Sequence, residues 1–405
     1  MTHWSVERLG RKGDGVAISG DARALAALTL PGEVIKGEAS DGRIASPRIV
    51  TPSDQRVRPA CPHYRACGGC SLMHGSEDFV KNWKVSVVQQ ALRAQGLEAP
   101  IAGVHVSPPR SRRRAVLSGR RTKKGALLGF HARASEVIVD IADCHVLRPA
   151  IQDALPLLRE LVIAGGSRSG ELSLVVVDTP AGLDVTVTGG KPIEPGLFQA
   201  LAALADQGDL ARLTWDGQSI TRRAPTIAFG RAQVVPPAGG FLQATPEGEA
   251  ALVAAVRDIT RGAGRVLDLF AGCGTFTLPL AETAEVHAVE GLAAPLQALD
   301  RGARVAGLRR ITTEVRDLAR RPLLPDELDY HAIVIDPPRA GAAAQAREIA
   351  LSQADTLAWV SCDPVTFAKD ARILAERKLD IVRLYVVDQF RWSPHVETVA
   401  EIRRN

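Results

Sequence analysis

The run Arg265–Ala281, RVLDLFAGCGTFTLPLA, decides the fold. RVLDLF is a short apolar stretch broken by one aspartate, which suits a strand buried on both faces of a parallel sheet. AGCG then turns the chain, and TFTLPLA continues as a helix. Gly272 and Gly274 let the backbone turn sharply and let a ligand approach it closely. Twenty-two residues after Asp268 stands Glu290, at the end of the next apolar run, EVHAVE, where a carboxylate grips ribose hydroxyls. The pattern predicts a nucleoside site. A dinucleotide site would carry G-x-G-x-x-G, with helix amides left free for a pyrophosphate. Here Thr277 fills the third position and the loop opens with Phe270-Ala271, so the expected cofactor is S-adenosylmethionine, which has no phosphate.

Further along, AIVIDPPRAG (332–341) ends an apolar run on Asp336, and LAWVSC (357–362) ends the next on Cys362. Open α/β sheets bind ligands outside the carboxyl ends of their strands, so both side chains face the expected site. The Asp-Pro-Pro element also suits enzymes that methylate exocyclic amines, and that reading stays open. A thiol aimed at a base points to carbon instead. C5 of uracil is a poor nucleophile, but a thiolate added to C6 makes an enolate whose C5 attacks a sulfonium methyl. A base must then remove the C5 proton so that the thiol can leave. Glu397, near His395 in SPHVETVAEI (393–402), enters a final strand and is the candidate. Alone it reads as a solvated strand residue; beside Cys362, Asp336 and the Gly turn it reads as that base. A free thiol with a pKa of about 8.5 is only a few per cent ionised at pH 7, so positive charge or the base itself must help.

The rest of the chain surrounds this half. With 405 residues, two or three domains are expected. No apolar run approaches the roughly 18 to 20 residues that cross a bilayer, and MTHWSVERLG has no apolar stretch of a secretory signal. A cytoplasmic protein with no membrane partner is expected, a monomer. Residues 1–58 alternate short β-like runs with Gly turns and predict a small all-β barrel. SEDFVKNWKVSVVQQALRAQG (76–96) predicts a helix starting near Ser76 or Glu77 and ending before Gly96. Residues 59–237 form a mixed middle domain, and 238–405 the regular α/β domain. The net charge of +5 says less than its distribution. Between residues 99 and 135 there is no acidic residue, and Arg110, Arg112, Arg113, Arg114, Arg120, Arg121, Lys123 and Lys124 crowd together. Such a block repels itself unless phosphates neutralise it, so a nucleic-acid footprint is expected there.

Six cysteines in a reducing setting are ligands, catalysts or packing residues rather than disulfides. Setting aside Cys362 and Cys273, a space filler in the Gly turn, leaves Cys61, Cys67 and Cys70 in CPHYRACGGC and the distant Cys144. Four thiolates at this spacing suit zinc and iron–sulfur equally, with His63, His74 and His145 as possible substitutes.

FLQ (241–243), LDLFAGCGTF (267–276), DPPRAG (336–341), SCDP (361–364) and HVE (395–397) together resemble the RNA 5-methyluridine methyltransferases, in particular the iron–sulfur members that act on 23S ribosomal RNA. The resemblance covers nearly the whole chain. It implies a class I, Rossmann-like methyltransferase domain and, from LGRKGDGVA (9–17) and LPGEVIKGEA (30–39), an N-terminal OB-like TRAM barrel that binds RNA. It implies Cys362 as nucleophile, Glu397 as base, and a 4Fe–4S cluster on Cys61, Cys67, Cys70 and Cys144. Gln243, Phe270, Thr275, Glu290, Asp317 and Asp336 fall at positions lining the adenosylmethionine and uracil pockets, with Asp317 near the adenine. Two departures stand out: Thr275 where the family often has Asn, and FRWSP (390–394) before His395 where it often has F-P-H-T. RNA 5-methylcytosine enzymes also use a cysteine adduct, but usually carry a second cysteine in the Asp-Pro element, where this chain has Pro338. Ribosomal and transfer RNA both remain open as substrates, and so does an RNA-binding module with a relict site.

Overall fold

Among residues 2–405, which the computed structural model describes, the strands form four sheets. The largest has eight, ordered Ile311–Val315, Glu285–Glu290, Arg265–Leu269, Ala332–Ile335, Thr356–Ser361, Glu397–Arg404, Leu379–Asp388 and Ile101–Val106. The first five run parallel, as the continuous apolar runs predicted. Every residue of Ala332–Ile335 and Thr356–Ser361 is buried, which is why these segments do not alternate. The sheet is mixed, however, because Glu397–Arg404 inserts antiparallel between Thr356–Ser361 and Leu379–Asp388. That insertion brings the start of the last strand to the carboxyl ends of the others.

Residues 77–106 belong to this layer although the sequence reading put them in the middle segment. Helix Glu77–Arg93, capped by the Ser76 hydroxyl accepting from the Phe79 amide at 3.2 Å, sends Val88, Ala91 and Leu92 into the same core as Trp359 and Phe367. Gly96, at φ +69°, follows its end as expected. Strand Ile101–Val106 pairs with Leu379–Asp388, and nothing local in a six-residue strand announces a partner so distant in sequence.

The N-terminal strands Thr2–Leu9, Gly15–Ser19, Ala22–Ala26, Val34–Gly37, Arg43–Ile44 and Arg48–Thr51 form the all-β unit that was expected. They pair as one six-stranded sheet around Trp4, Val6, Ala17, Ile35 and Ile44, and its two end strands, Arg43–Ile44 and Arg48–Thr51, do not pair with each other. Closure into a barrel is therefore not seen in the strand pairing. The middle sheet has seven strands, with Arg114–Arg121 next to its long hairpin Leu172–Thr179 and Gly182–Thr188, and helices Leu155–Gly165 and Pro195–Gln207 packed on it. Among the described residues no helix is long and apolar enough to cross a membrane.

Candidate active site

The carboxyl ends of the parallel strands deliver the expected side chains to one place. Strand Thr356–Ser361 ends at Ser361, and Asp363 caps the next helix, Pro364–Ala375, by accepting from the Val365 and Thr366 amides at 2.9 and 3.3 Å. Cys362 is held between strand end and helix cap, half-buried, on the wall of a cavity of about 840 Å³. Across the antiparallel pairing Ser361 stands opposite Thr398. Continued by one residue, that register would set Cys362 opposite Glu397, and the Glu397 charge is among the causes that raise the Cys362 thiol.

Glu397 is only 4% exposed, and burial pushes its carboxyl up to about 7. Asp336, half-buried one residue beyond Ala332–Ile335, is raised well above the ordinary range by desolvation, then by Glu397 and Asp268. Cys362 is pushed up to about 12 by burial and by the charges of Glu397 and Asp336, with Arg339 opposing. These shifts show that thiol and carboxyls share one desolvated space. Burial and the neighbouring carboxyls thus disfavour the thiolate, and positive charge beside it would favour it.

The nucleoside turn follows the first strand. Phe270 takes φ +63°, rare for a bulky side chain, and starts the turn; Gly272 (φ +56°) and Gly274 (φ +95°) complete it. A Cβ on Gly274 would stand 2.9 Å from Leu278, whereas one on Gly272 would meet nothing within 4 Å. Gly272 thus opens onto free space, and Gly274 is required by packing. Glu290 accepts from the Gly272 and Leu292 amides at 3.1 and 3.0 Å, which fixes its carboxylate beside the turn. Thr275 is half-buried in the turn. Asp317 is exposed past the end of Ile311–Val315; its Oδ1 accepts from the Ala319 amide at 3.1 Å, and its Cα lies 4.0 Å from where a Cβ on Gly291 would be. Gln243 is buried on the other side, its Oε1 accepting from Gln389 Nε2 at 2.6 Å.

Three residues that sequence reasoning passed over belong to the site. Asp268 is fully buried, its Oδ2 accepting from the Thr277 hydroxyl at 2.5 Å while Oδ1 has no hydrogen-bond partner. Desolvation pushes it up to about 7. A buried acceptor without a donor, beside a turn open to a ligand, fits the amino group of an amino-acid-bearing nucleoside. Gln389 is buried between the Ala244 amide, from which its Oε1 accepts at 2.9 Å, and Gln243. Lys84, from helix Glu77–Arg93, is buried against Asp388 and donates to the Phe390 carbonyl at 3.1 Å, anchoring the 388–396 segment. Asp268 and Gln389 lay beside residues already singled out; the Lys84 pair joins positions 304 apart and left no local signal.

The loop that departs from the family pattern is built into the cavity wall. Trp392 takes φ +61°, and its carbonyl accepts from the Ser71 and Leu72 amides at 2.7 and 2.9 Å. His395, on the cavity wall, is held below its ordinary pKa by burial and by Arg339, Lys84 and Arg112. The same cavity is rimmed by Arg11, Lys12, Arg43, Arg112, Arg133 and Arg339, from the N-terminal sheet, the middle segment and the Asp-Pro-Pro loop. Asp14 pairs with Arg43 at 3.2 Å and Arg133 at 3.1 Å.

The 110–124 block is largely spent inside the protein. Arg113 is buried against Glu249 and donates to the Gln243 carbonyl at 3.2 Å; Arg114 donates to the Gly240 carbonyl at 3.1 Å; Arg120 pairs with Glu171 at 3.1 Å. Arg112 stacks over Phe390 at 5.3 Å. Only Arg110, Lys123 and Lys124 of the block are exposed, and Arg110 pairs with Asp143. The expectation of a phosphate footprint over this block is narrowed here: acids far away in sequence neutralise Arg113 and Arg120, and Arg112 is the member of the block that lines the cavity, the other cations there coming from elsewhere.

Cys61, Cys67, Cys70 and Cys144 do come together. Burial raises Cys70 to about 12, and the next causes are its neighbours Cys144 and Cys67; burial also raises Cys144, with Cys61 and Cys67 adding to it. Four thiols that feel one another's charge are the kind of donor set that suits a metal or a metal–sulfur cluster. Among the described residues, no three His, Cys, Asp or Glu side chains are arranged to hold a single ion. The three histidines have other partners: His63 accepts from the Ala142 amide, His74 bonds Tyr64 and faces the Thr29 carbonyl, and His145 lies 3.2 Å from Asp143.

A nucleoside turn on a parallel sheet, with a thiol and a carboxyl at neighbouring strand ends, defines a class I methyltransferase. The family model for tRNA (uracil-5-)-methyltransferase matches residues 308–404. An RNA methyltransferase of Caulobacter vibrioides is 43% identical over 100% of both chains, and one of Brucella suis biovar 1 is 42% identical over 99% of this chain and 97% of that one. The 23S rRNA (uracil(1939)-C(5))-methyltransferase of Chromohalobacter salexigens is 32% identical over 99% of this chain and 89% of its own. The crystal structure of Pyrococcus abyssi tRNA (uracil-54, C5)-methyltransferase with S-adenosyl-L-homocysteine shares the fold, with a TM-score of 0.77 over 98% of this chain and 99% of that one at 21% identity. The chain belongs to the S-adenosylmethionine-dependent RNA (uracil-5-)-methyltransferase family.

Proposed function

We propose that the protein methylates C5 of one uridine in structured RNA, 23S ribosomal RNA in particular, through a covalent bond between Cys362 and C6 of the base. The observation that carries this reading is the strand register that, continued by one residue, sets Cys362 opposite Glu397. The ribosomal target rests on the Chromohalobacter relative, similar over almost the full length of both chains.

S-adenosylmethionine, when bound, supplies the electrophilic methyl group. Glu290 would hold its ribose hydroxyls, Asp317 its adenine end, and the unpartnered Oδ1 of Asp268 its ammonium, with Phe270 and Thr275 shaping the turn. Gln243 and Asp336 line the base pocket. The target base leaves its stack to enter, at a cost of a few kcal/mol that is least in loops. Cys362 Sγ adds to C6 once positive charge beside it favours the thiolate, and the C5=C6 electrons pass toward O4. C5 then takes the methyl group. Glu397 removes the C5 proton, the electrons of that C–H bond reform C5=C6, and Sγ departs. A carboxyl whose pKa is lifted to about 7 by burial suits this step: it is substantially ionised at neutral pH and basic enough to take a carbon-bound proton.

Around this chemistry we read three units: a TRAM-like RNA-binding sheet within 1–58, a cysteine-bearing middle unit within 59–237, and the methyltransferase unit from 238 together with the helix and strand of 77–106. Cys61, Cys67, Cys70 and Cys144 would hold a 4Fe–4S cluster, supplying a clamp between the cysteine loop and the 131–145 segment, which already meet where the Gly68 amide donates to the His131 carbonyl at 2.9 Å. No redox step is required. Anaerobically purified protein should contain about four irons per chain; stoichiometric zinc in a folded, active protein would exclude the cluster.

Two experiments test the reaction itself. Nucleoside mass spectrometry of ribosomal and transfer RNA from a deletion strain should lose one 5-methyluridine, in 23S RNA. Glu397→Gln should accumulate a methylated protein–RNA adduct that survives denaturing electrophoresis. Normal turnover by that variant removes Glu397 as the base.

A further inference from the structure

A relay of two side-chain amides starts at a backbone N–H and ends on Gln243. Gln389, 1% exposed, follows the last residue of strand Leu379–Asp388, and its Oε1 accepts from the Ala244 amide at 2.9 Å. A backbone N–H can only donate, so the polarity of this side chain is fixed. Its Nε2 donates to Gln243 Oε1 at 2.6 Å. The second amide is thereby fixed in turn: the oxygen of Gln243 is occupied, and Nε2 is its free end. Among the described residues nothing accepts from Gln243 Nε2, and this nitrogen is not sealed from solvent. The backbone beneath is held as firmly. Arg113, paired with Glu249, donates from Nε to the Gln243 carbonyl at 3.2 Å and from its own amide to the Ala244 carbonyl at 2.9 Å. A Cβ on Gly248 would stand 2.6 Å from Gln389 Cβ, so that glycine leaves the room the relay occupies.

The strand order says which part of a base the relay would meet. Across the sheet run Thr356–Ser361, which leads into Cys362, then Glu397–Arg404, then Leu379–Asp388, which leads into Gln389. Val387 pairs with Glu397, and Gln389 stands two residues beyond Val387, so it continues the same face of the sheet. A uracil with C6 at Cys362 and C5 at Glu397 has C4 next in that direction and C2 on the far side of the ring. The carbonyl nearest the relay is therefore O4. We infer that Gln389 is a positioning residue that sets the polarity of Gln243, so that Gln243 offers an N–H, and never its oxygen, to O4 of the target base. The inference rests on the covalent reaction proposed above, with Gln243 at the base pocket. Uracil has an acceptor at position 4 and cytosine an amino donor, so a fixed N–H admits the first and opposes the second. The same N–H strengthens when Cys362 Sγ adds to C6 and charge gathers on O4. An amide free to turn over would present either atom and accept either base.

The test is adduct trapping on RNAs that carry 5-fluorouridine or 5-fluorocytidine at the uridine mapped in the deletion strain. Fluorine leaves no C5 proton for Glu397 to take, so trapping reports thiol attack and methyl transfer alone. The unaltered protein should trap the uridine RNA at least about 100-fold faster than the cytidine RNA. Gln389→Met keeps the volume and removes the amide. It should slow uridine trapping about tenfold and leave cytidine trapping no slower, so the preference falls by about tenfold or more. Gln389→Asn, too short to span Ala244 and Gln243, should lower the preference likewise, and it decides the matter if the methionine variant does not fold. In a Gln243→Met background, Gln389→Met should lower the preference no further, because it acts through Gln243. An equal loss with both RNAs would make Gln389 merely structural and overturn the inference, and so would a further fall in the Gln243→Met background. If the unaltered protein traps neither RNA, the covalent reaction falls and this inference with it; if it traps the uridine RNA and the Gln389 variants keep its full preference, only the inference falls.

Discussion

The rim and the floor of the catalytic cavity are opposites. At the rim stand Arg11, Lys12, Arg43, Arg112, Arg133 and Arg339. On the side of Cys362 away from that rim, burial pushes the carboxyls of Asp268, Asp336 and Glu397, and the thiol itself, toward their neutral forms. A phosphate is attracted to the rim and repelled by the floor. A flipped uracil is the reverse: neutral, flat and indifferent to the rim. Under the proposed reaction, the contrast would let one cavity hold RNA by its backbone and still admit only a base to the thiol.

Removing the proposed nucleophile should have the largest effect. Cys362→Ala should lose methylation by on the order of 10^4-fold or more, form no adduct, and bind RNA with unchanged salt dependence. A covalent band on denaturing gels from this variant would show that the thiol is not the attacking group. Next comes Asp268→Asn. Loss of a charge-assisted contact to the cofactor's ammonium should weaken S-adenosylmethionine binding by roughly 10- to 100-fold, read by calorimetry. The sign for stability is opposite. Asp268 has a folded pKa of about 7 against an ordinary 3.8, so the folded state holds a proton that the unfolded chain releases. Stability of the cofactor-free protein therefore falls as pH rises from about 4 to 7. The asparagine variant escapes that loss and should unfold at higher temperature at pH 8, by at most about 4 kcal/mol. A variant that is less stable at pH 8 would mean that Asp268 is satisfied in the free protein.

Legibility in the sequence follows the same division. Part of the site was readable because its residues end apolar runs, Asp336 after AIVI, Cys362 after LAWVS and Glu290 at the end of EVHAVE, whereas Asp268 lies inside its run. Periodicity locates strand ends, and parallel sheets gather strand ends. The Gly turn and the helix from Glu77 were legible for the same local reasons. Whatever depends on pairing between remote segments was not. Strand Ile101–Val106 joins the catalytic sheet through residues beyond 380, Lys84 meets Asp388, and Gln389 meets Gln243; none has a local signature. The arginine block was misread for that reason too. A run of like charge looks unneutralised only until Glu249 and Glu171 are brought beside it.

The rim can be tested against the floor. If its cations contact phosphates, Arg11→Ala and Arg133→Ala should each reduce the slope of log affinity against log salt by roughly one unit, with the acid limb of methylation unmoved. Arg133 is informative because one of its buried guanidinium nitrogens has no partner in the free protein, although Asp14 holds the other end of the group. An unchanged slope for both variants would place the RNA backbone elsewhere and dissolve the contrast on which the cavity reading stands.

The smallest effect is expected where the sequence alone promised the largest. In strand Arg114–Arg121 and the turn after it, the arginines that pack inward have taken acids or carbonyls as partners, and what faces water is mainly Lys123 and Lys124 in the turn closed by the Thr122 amide on the Gly125 carbonyl. Neither lysine lines the cavity. Two exposed charges on a turn attract RNA only over about a Debye length, about 8 Å at physiological salt, so removing them should change the salt slope by well under one unit. Lys123→Ala combined with Lys124→Ala, titrated with the same RNA from low to physiological salt, measures this directly. A drop of two units would mean that RNA runs from the rim across the middle sheet to this turn, and the cationic surface would then be a track of which the cavity rim is only the last part.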